Sequence, residues 1–401
     1  MRTIGIALLA TALVAGRADA QPAPWAPERL TPGWTVLPGI VFGALWDSNV
    51  TVQGQGTPEI AEWVGVVAPR GEIVYNGRLT RFNAGYSGSF ERYRELRALD
   101  RFEQRAKAQV LHRASQRVQF GAAFAAARTP TTDRLEIDSL PFVDIGSRTT
   151  DVTSQASYAV GPRTRIEGGY HFQQVNFDRD DLARNPLRAP ILSGGYSHSP
   201  SVAVRHEINS RFGVGSTVEY RKATVGDGLA HFSGQNARGD IRYRLNGNTA
   251  MSASAGVSHL HLEETGVDAW GPAVRASLEH AAGLTQMTLR YERAFIPSFS
   301  FGGLTGNQFL SFSATTPLSR GGRWMASGSA SYGRTEPLDE IGFEIRRDSY
   351  WFNGSIGYQV ARWLRTDGFV TSSHQRTDAL GNVNRLRAGI QFSTSKPVRI
   401  Q

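Results

Sequence analysis

The residues that could do chemistry in this chain fall in rows, with charge at every second position. Arg101, Glu103, Arg105 and Lys107 interleave with Phe102, Ala106 and Ala108, and Arg238, Asp240, Arg242 and Arg244 interleave with Ile241 and Tyr243. Arg163, Arg165 and Glu167 repeat the spacing around Ile166, and Arg385 and Arg387 repeat it around Leu386. Side chains alternate across a strand with period two, so each row is one face of a strand. Such a face can do one of two things. Facing water, rows rich in Arg favour anions. Paired with their carboxylates, the same residues brace a wall and select nothing, since exposed pairs contribute little.

A hydrolase would instead need a nucleophile, a base and an acid brought together. The candidates are His231 and the run Ser258-His259-Leu260-His261 with Glu263 and Glu264. His259 and His261 share a face with Val257, which favours interfacial histidines over a catalytic group. His206-Glu207 has no second His at metalloprotease spacing, and no G-x-S-x-G motif occurs. Phosphate-cradle and nucleotide motifs are absent. With no cysteine in the chain, disulfides and thiolate metal sites are excluded, and no metal or cofactor is expected.

The elements that carry these rows are hairpins. Over 151–173, Val152, Ala156, Tyr158 and Val160 share one face, and Asp151, Thr153, Gln155 and Ser157 share the other. Gly161-Pro162 interrupts, and then Ile166, Tyr170 and Phe172 oppose Arg165, Glu167, His171 and Gln173. The unit recurs along nearly the whole chain, with no helix to cover the oily face. A sheet of this kind can place that face against lipid if it closes on itself. About eighteen strands are expected, within 16–18, the least regular over 191–208 and 363–376.

Short connections (Asn76-Gly77, Gly161-Pro162, Asn209-Ser210, Asn246-Gly247-Asn248) alternate with long ones at 129–147, 176–190, 223–234, 262–269, 296–305, 334–347 and 376–383. Outer-membrane barrels have short periplasmic turns and longer extracellular loops, which puts both termini in the periplasm and requires an even strand number. Outward aromatics gather at strand ends: Trp34, Tyr158, Tyr243, Trp324, Tyr358 and Phe392 beside short turns, and Trp46, Tyr170, Tyr220, Trp270, Tyr332 and Tyr350 near long loops. Two interfacial girdles would have this distribution.

The chain opens with Arg2, an apolar run over 4–15 and Ala18-Asp19-Ala20, the pattern of a secretory signal peptide over 1–20. A short Pro-rich periplasmic lead follows at 21–32, then the barrel at 33–394 and a C-terminal tail at 395–401. Pro38 is awkward inside a first strand and suits a bulge or the seam. Formal net charge is +9, nearly all of it from Arg spread along strands, which argues against nucleic acid and for anionic solutes or lipopolysaccharide phosphates.

The stretch Pro38-Gly39-Ile40 through Trp46-Asp47-Ser48-Asn49-Val50, a polar loop, then Arg81-Phe82 and Tyr86 resembles the opening of the beta-barrel porin-2 type outer-membrane proteins. That resemblance implies an outer-membrane barrel accompanying exopolysaccharide biosynthesis, with exopolysaccharide as a partner. Arg387, Gly389, Ile390 and Phe392 resemble a barrel-assembly signal, although Ser393 to Gln401 follow where the usual signal ends. The expectation is an all-β, antiparallel, up-and-down transmembrane barrel in the outer membrane of a Gram-negative bacterium. Its partners would be outer-membrane lipid, lipopolysaccharide and the barrel-assembly machinery. It would act as a porin-like channel or export conduit for hydrophilic solutes, with anionic and saccharide solutes as candidate classes. The alternatives are an outer-membrane lipid or peptide hydrolase and a plugged structural barrel.

Overall fold

The computed structural model describes residues 32–54, 56, 58–130, 145–179, 194–226, 228, 230–297, 299, 304–337, 346–377 and 381–400. The signal peptide expected over 1–20 and, Pro32 apart, the lead expected over 21–32 lie outside the described residues. So do parts of the connections expected over 129–147, 176–190, 223–234, 296–305, 334–347 and 376–383.

Eighteen strands follow one another around a single sheet. They are β1 (Gly33–Asp47), β2 (Glu62–Asn76), β3 (Thr80–Tyr93), β4 (Arg101–Arg113), β5 (Val118–Pro130) and β6 (Gly146–Ala159). Next come β7 (Thr164–Phe177), β8 (Gly195–Glu207), β9 (Phe212–Val225), β10 (Ala230–Arg244), β11 (Thr249–Leu262) and β12 (Val267–Ala282). The circuit ends with β13 (Thr285–Pro297), β14 (Leu304–Pro317), β15 (Trp324–Pro337), β16 (Arg347–Ala361), β17 (Leu364–Thr377) and β18 (Gly381–Ser395). Each pairs antiparallel with its sequence neighbours, and β18 pairs back onto β1 from Gly39 opposite Ser395 to Asp47 opposite Arg387. This is a closed up-and-down barrel with an even strand count, as the alternation predicts.

The packing is inverted relative to a globular core. On the outer face Val218, Phe352, Ile356 and Ile390 are each half or more exposed, and Trp270 is 68% exposed. On the inner face Asp47, Ser258, Asp367 and Gln375 are buried. Aromatic pairs sit on the outer face at both ends. Trp34 meets Tyr75 with ring centroids 4.8 Å apart and Trp324 meets Tyr358 at 4.6 Å by the short turns, while Tyr332 meets Tyr350 at 5.0 Å by the long loops.

The seam explains Pro38. The free edge of β1 pairs with β18 over Gly39–Asp47 and with a short final strand, β19 (Val398–Ile400), over Trp34–Val36. Leu37 and Pro38 lie at the break between these two ladders, where a missing N–H costs nothing. The residues beyond Phe392 are therefore paired: Ser393, Thr394 and Ser395 complete β18, and β19 covers the remaining edge. The seam is also tight. A Cβ at Gly43 would overlap the Ile390 carbonyl oxygen and sit 2.9 Å from Gln391 Cα, and one at Gly389 would sit 2.5 Å from the Ala44 carbonyl oxygen.

The strict alternation of short and long connections is corrected. Connections expected over 223–234 and 262–269 shrink to four residues, 226–229 and 263–266, as short as the turns at the other end. Strands run 13 to 16 residues, beyond the roughly 9–11 that span a hydrocarbon layer. In the extra length the pattern inverts: Ala223, Val225, Phe232, Leu260 and Leu262 point inward, and Thr224, His231, His259 and His261 point outward. The outer apolar signal stops while the strand continues, so these ends read as loop.

Adding a methyl at the seam should separate crowding from propensity. Gly43→Ala is expected to lose about 1–3 kcal/mol of unfolding free energy. Gly168→Ala, where nothing lies within 4 Å, should be close to neutral. Urea unfolding followed by heat-dependent gel migration reads both, and equal losses would show that the seam is not tight.

Candidate functional site in the barrel interior

Strand phase places Arg101, Glu103, Arg105 and Lys107 on the inner face of β4 and Arg165 and Glu167 on that of β7. Arg238, Asp240, Arg242 and Arg244 fall on the inner face of β10, and Arg385 and Arg387 on that of β18. Arg163 lies in the 160–163 turn, where its guanidinium donates to the Ile208 carbonyl across to the next turn at 3.4 Å. The structure sorts these residues into two networks and a remainder.

The first network crosses the seam. Arg385 grips Asp47 with Nε at 3.1 and 3.0 Å and Nη2 at 2.6 Å, and the two side chains are 4% and 0% exposed. Arg387 Nε lies 3.3 Å from the same carboxylate and its Nη2 3.1 Å from Glu91. Glu91 also receives Arg101 at 2.7 Å and the Tyr93 hydroxyl at 3.2 Å. Arg101 and Arg105 then share Glu103 at 3.3 and 3.0 Å. Opposite charges thus alternate from β18 through β1 and β3 to β4, so each buried carboxylate has at least two partners. The second network spans β9 to β13. Glu219 pairs with Arg221 at 3.1 Å and Arg238 at 3.6 Å, Asp240 accepts from the Thr217 hydroxyl at 2.7 Å, and Arg275 pairs with Glu292 at 2.6 Å.

The remainder is cationic. Lys107, Arg165 and Arg242 make no ion pair with any described residue, and Arg244 donates to the Ser210 carbonyl at 3.2 Å. Glu167 is taken by Arg205 at 2.9 Å. Asp47, Glu91, Glu219, Arg275 and Glu292 are the partners that the charge rows alone did not single out. Each sits at the inward phase of its strand, so a phase count carried across both strands of every hairpin would have found them. The wall from β14 to β17 carries a buried ion pair, Arg365 to Asp367 at 2.6 Å, and beside it Ser311, Ser327, Ser329, Asn353, Ser355 and Thr371 line the wall, with Ser327 bonded to Ser355 at 2.6 Å.

Two pieces of chain turn inward at the long-loop end. After β1, Asn49 is fully buried. Its side-chain amide donates to the carbonyls of Gln53 and Asn384, both at 2.9 Å, and its Oδ1 accepts from the Gln53 N–H at 2.9 Å. This holds Val50 against Leu45, Val64 and Tyr93, and Val52 against Val383 and Trp351. Val52 adopts φ of +53°, a left-handed conformation that costs a β-branched residue on the order of 1–3 kcal/mol. Across the barrel, Phe299 lies between β13 and β14 yet packs on Val175, Ala223, Val225, Phe232, Leu260 and Leu262. Its carbonyl accepts from Gly194 N–H at 2.8 Å, ahead of β8.

The hydrolase candidates separate. His259 and His261 share Asp268 Oδ1 at 2.8 and 2.9 Å on the outer face, and His259 stacks on Trp270 at 4.2 Å. Ser258 is inward and buried, on the opposite side of the wall. His231 Nδ1 meets Glu264 at 2.7 Å, and His206 meets the Thr164 hydroxyl at 2.9 Å.

Fold and interior together define a closed 18-strand barrel, oily outside and charged within. No family model matches the sequence, and no curated protein matches it. Solved structures of similar shape include a bacterial polysaccharide outer membrane secretin, 12% identical with a TM-score of 0.37 over 92% of this chain and 99% of that one. The outer membrane protein OpdK from Pseudomonas aeruginosa is 10% identical with a TM-score of 0.44 over 90% and 99%. OccAB4 of Acinetobacter baumannii is 8% identical with a TM-score of 0.43 over 93% and 100%. Similarity at this level carries no argument about placement or cargo.

Breaking the seam pair should be costly. Arg385→Ala leaves the buried Asp47 carboxylate with Arg387, at 3.3 Å, as its only ion-pair partner among the described residues and is expected to cost about 3 kcal/mol, whereas removing both charges with Asp47→Asn and Arg385→Gln should cost less. A double-mutant cycle in urea checks this; additive losses would mean the pair does not couple.

Proposed function

We propose that this protein is an outer-membrane β-barrel of a Gram-negative bacterium, exported by a cleaved signal peptide and folded by the barrel-assembly machinery. In this reading it serves as a porin-like channel or export conduit for hydrophilic solutes. The observation that carries the reading is the sidedness of the wall. An apolar, aromatic-edged outer face suits lipid, and an inner face bearing ion-pair networks and the cations Lys107, Arg165 and Arg242, which have no described ion-pair partner, suits water. Eighteen strands spaced ~4.8 Å apart and tilted ~40° enclose a backbone cylinder roughly 35 Å across, too wide for side chains alone to fill. Anionic solutes fit Lys107, Arg165 and Arg242. Saccharides fit the hydroxyl-lined wall from β14 to β17, and exopolysaccharide is the partner that the opening motif suggests.

Pairing divides the arginines into two roles. Arg105 and Arg238 are committed to carboxylates and brace the wall, whereas Lys107, Arg165 and Arg242, with no ion-pair partner among the described residues, are the ones placed to meet a solute. In planar bilayers with a KCl gradient, the reversal potential should report anion preference that fades at high salt as charges are screened. Converting Lys107, Arg165 and Arg242 to Glu should reverse the preference, and Arg105→Gln should change it little. Cation preference in the unaltered protein would overturn anion selection. A refolded, membrane-inserted barrel with no conductance would favour a second reading, a plugged structural barrel, for which the inward packing of Val50, Val52 and Phe299 speaks.

Membrane placement has its own test. Ala276 and Ala330 face outward near mid-strand, and Ser277 and Ser331 face inward. Arg at either alanine should cost about 2–4 kcal/mol of folding free energy in lipid, and Arg at either serine much less. Equal costs at neighbouring positions would refute the placement.

A further inference from the structure

The outer face of β15–β17 at the long-loop end carries a layered arrangement that the channel reading leaves unused. One cross-strand row is Tyr332, Tyr350 and His374: Tyr332 lies opposite Tyr350 and Tyr350 opposite His374. Their rings stand 5.0 and 5.9 Å apart in a continuous shelf. The next row toward the loop end is Arg334, Asp348 and Arg376, again directly opposite one another. Arg346, exposed, continues the same phase just above. Arg334, Arg346, Arg347, Asp348 and Arg376 line a half-open cavity of about 200 Å³, room for several waters. Arg347 lines it from the barrel side, and its guanidinium also reaches the Thr335 hydroxyl at 3.3 Å.

The charges are unequal. Two carboxylates belong to the group: Asp348, which accepts from the Tyr332 hydroxyl at 2.8 Å, and Glu336, which pairs with Arg334 at 2.6 Å. Among the described residues, the outward-phase guanidinium groups of Arg334, Arg346 and Arg376 outnumber these two carboxylates. Arg376 and Arg346 make no ion pair with a described residue. Guanidinium matches the planar, two-oxygen geometry of phosphate. Tyrosine shelves mark the height at which apolar chains give way to head groups. Basic residues placed just beyond such a shelf meet anionic lipid heads.

We propose that this rim is a binding site for the anionic phosphomonoester head group of a lipid in the leaflet at the long-loop end. Arg334, Arg346 and Arg376 bind phosphate oxygens, and Tyr332 and Tyr350 lie along the head-group boundary of the same lipid. The site rests on the reading that the barrel sits in a membrane.

The test uses the full chain refolded in detergent micelles, titrated with bis-phosphorylated lipid A, inorganic pyrophosphate and phosphatidylcholine, with adducts counted by native mass spectrometry. Lipid A is expected to bind, phosphatidylcholine not. The triple variant Arg334→Gln, Arg346→Gln, Arg376→Gln should lose about tenfold or more in lipid A affinity, the equivalent of one charge-assisted hydrogen bond. Arg165→Gln with Arg242→Gln, on the inner wall, should lose none. Asp348→Asn removes the central negative charge and should tighten lipid A binding several-fold, whereas a purely structural role for the cluster predicts no gain. Unchanged lipid A binding by the triple variant would overturn the site, and pyrophosphate bound as tightly as lipid A would overturn its assignment to a lipid. Insertion into phosphatidylcholine vesicles, read by protease protection, is scored separately. Failure to insert sinks the membrane reading, and insertion without lipid A binding sinks only this site.

Discussion

Closure is the constraint on which everything else here depends. An open sheet of eighteen strands would present two edges of unpaired N–H and C=O groups, and the barrel removes them only if β1 finds β18 in one register. The two ends of the described chain meet there, so local sequence cannot direct the pairing as a tight hairpin turn does. Three features at the seam act together. Gly43 and Gly389 let the backbones approach, β19 covers the edge that β18 leaves bare, and Asp47 and Arg385 join across it out of water. A register slipped by one residue would turn Arg385 to the oily outer face and leave Asp47 alone inside. The pair is therefore better understood as a device for specifying register than as a source of net stability, since buried ion pairs recover little beyond their desolvation cost.

The strand phase was legible because the outer face must be apolar wherever it faces outward at mid-height, and period two then fixes the inner set. That is why Arg101, Arg165, Arg242 and Arg387 could be assigned inward from sequence. Two things were hidden. Strand ends at β9, β10 and β11 exchange their polarity above the apolar band, so Val225, Phe232 and Leu262 looked like loop. Partners across the closure, Asp47 with Arg385 and Glu91 with Arg387, are separated by hundreds of residues. No periodicity links them; only a closed topology does.

That same topology divides the arginines, which composition alone treats as one class. Where strands present Arg and carboxylate at matching heights, as on β3 and β4 or β9 and β10, the charges satisfy one another and stiffen the wall. Where the inner positions directly across on both neighbouring strands are uncharged, as Gly213 and Ser252 are beside Arg242, the cation has no ion-pair partner among the described residues. A count of Arg along the strands therefore overstates the field that a solute would meet.

The inward pieces of chain bear on whether water or protein fills the barrel. In a ring of eighteen strands, the wall around β18 and β1 stands opposite the wall around β9 and β10. Val50 and Val52 pack on the first wall and Phe299 on the second, so the long-loop end is lined with apolar groups from two opposed sides. These contacts lie where the inner face itself turns apolar. Lower down, on the inner faces of β4, β7 and β10, Lys107, Arg165 and Arg242 stand without carboxylate partners among the described residues. A protein plug running the full depth of the barrel would have to bury these cations, and burying an unpaired charge is costly. The apolar contacts thus gather at the long-loop end and the cations without described carboxylate partners stand below them, so the apolar lining and the charged part of the lumen occupy different depths.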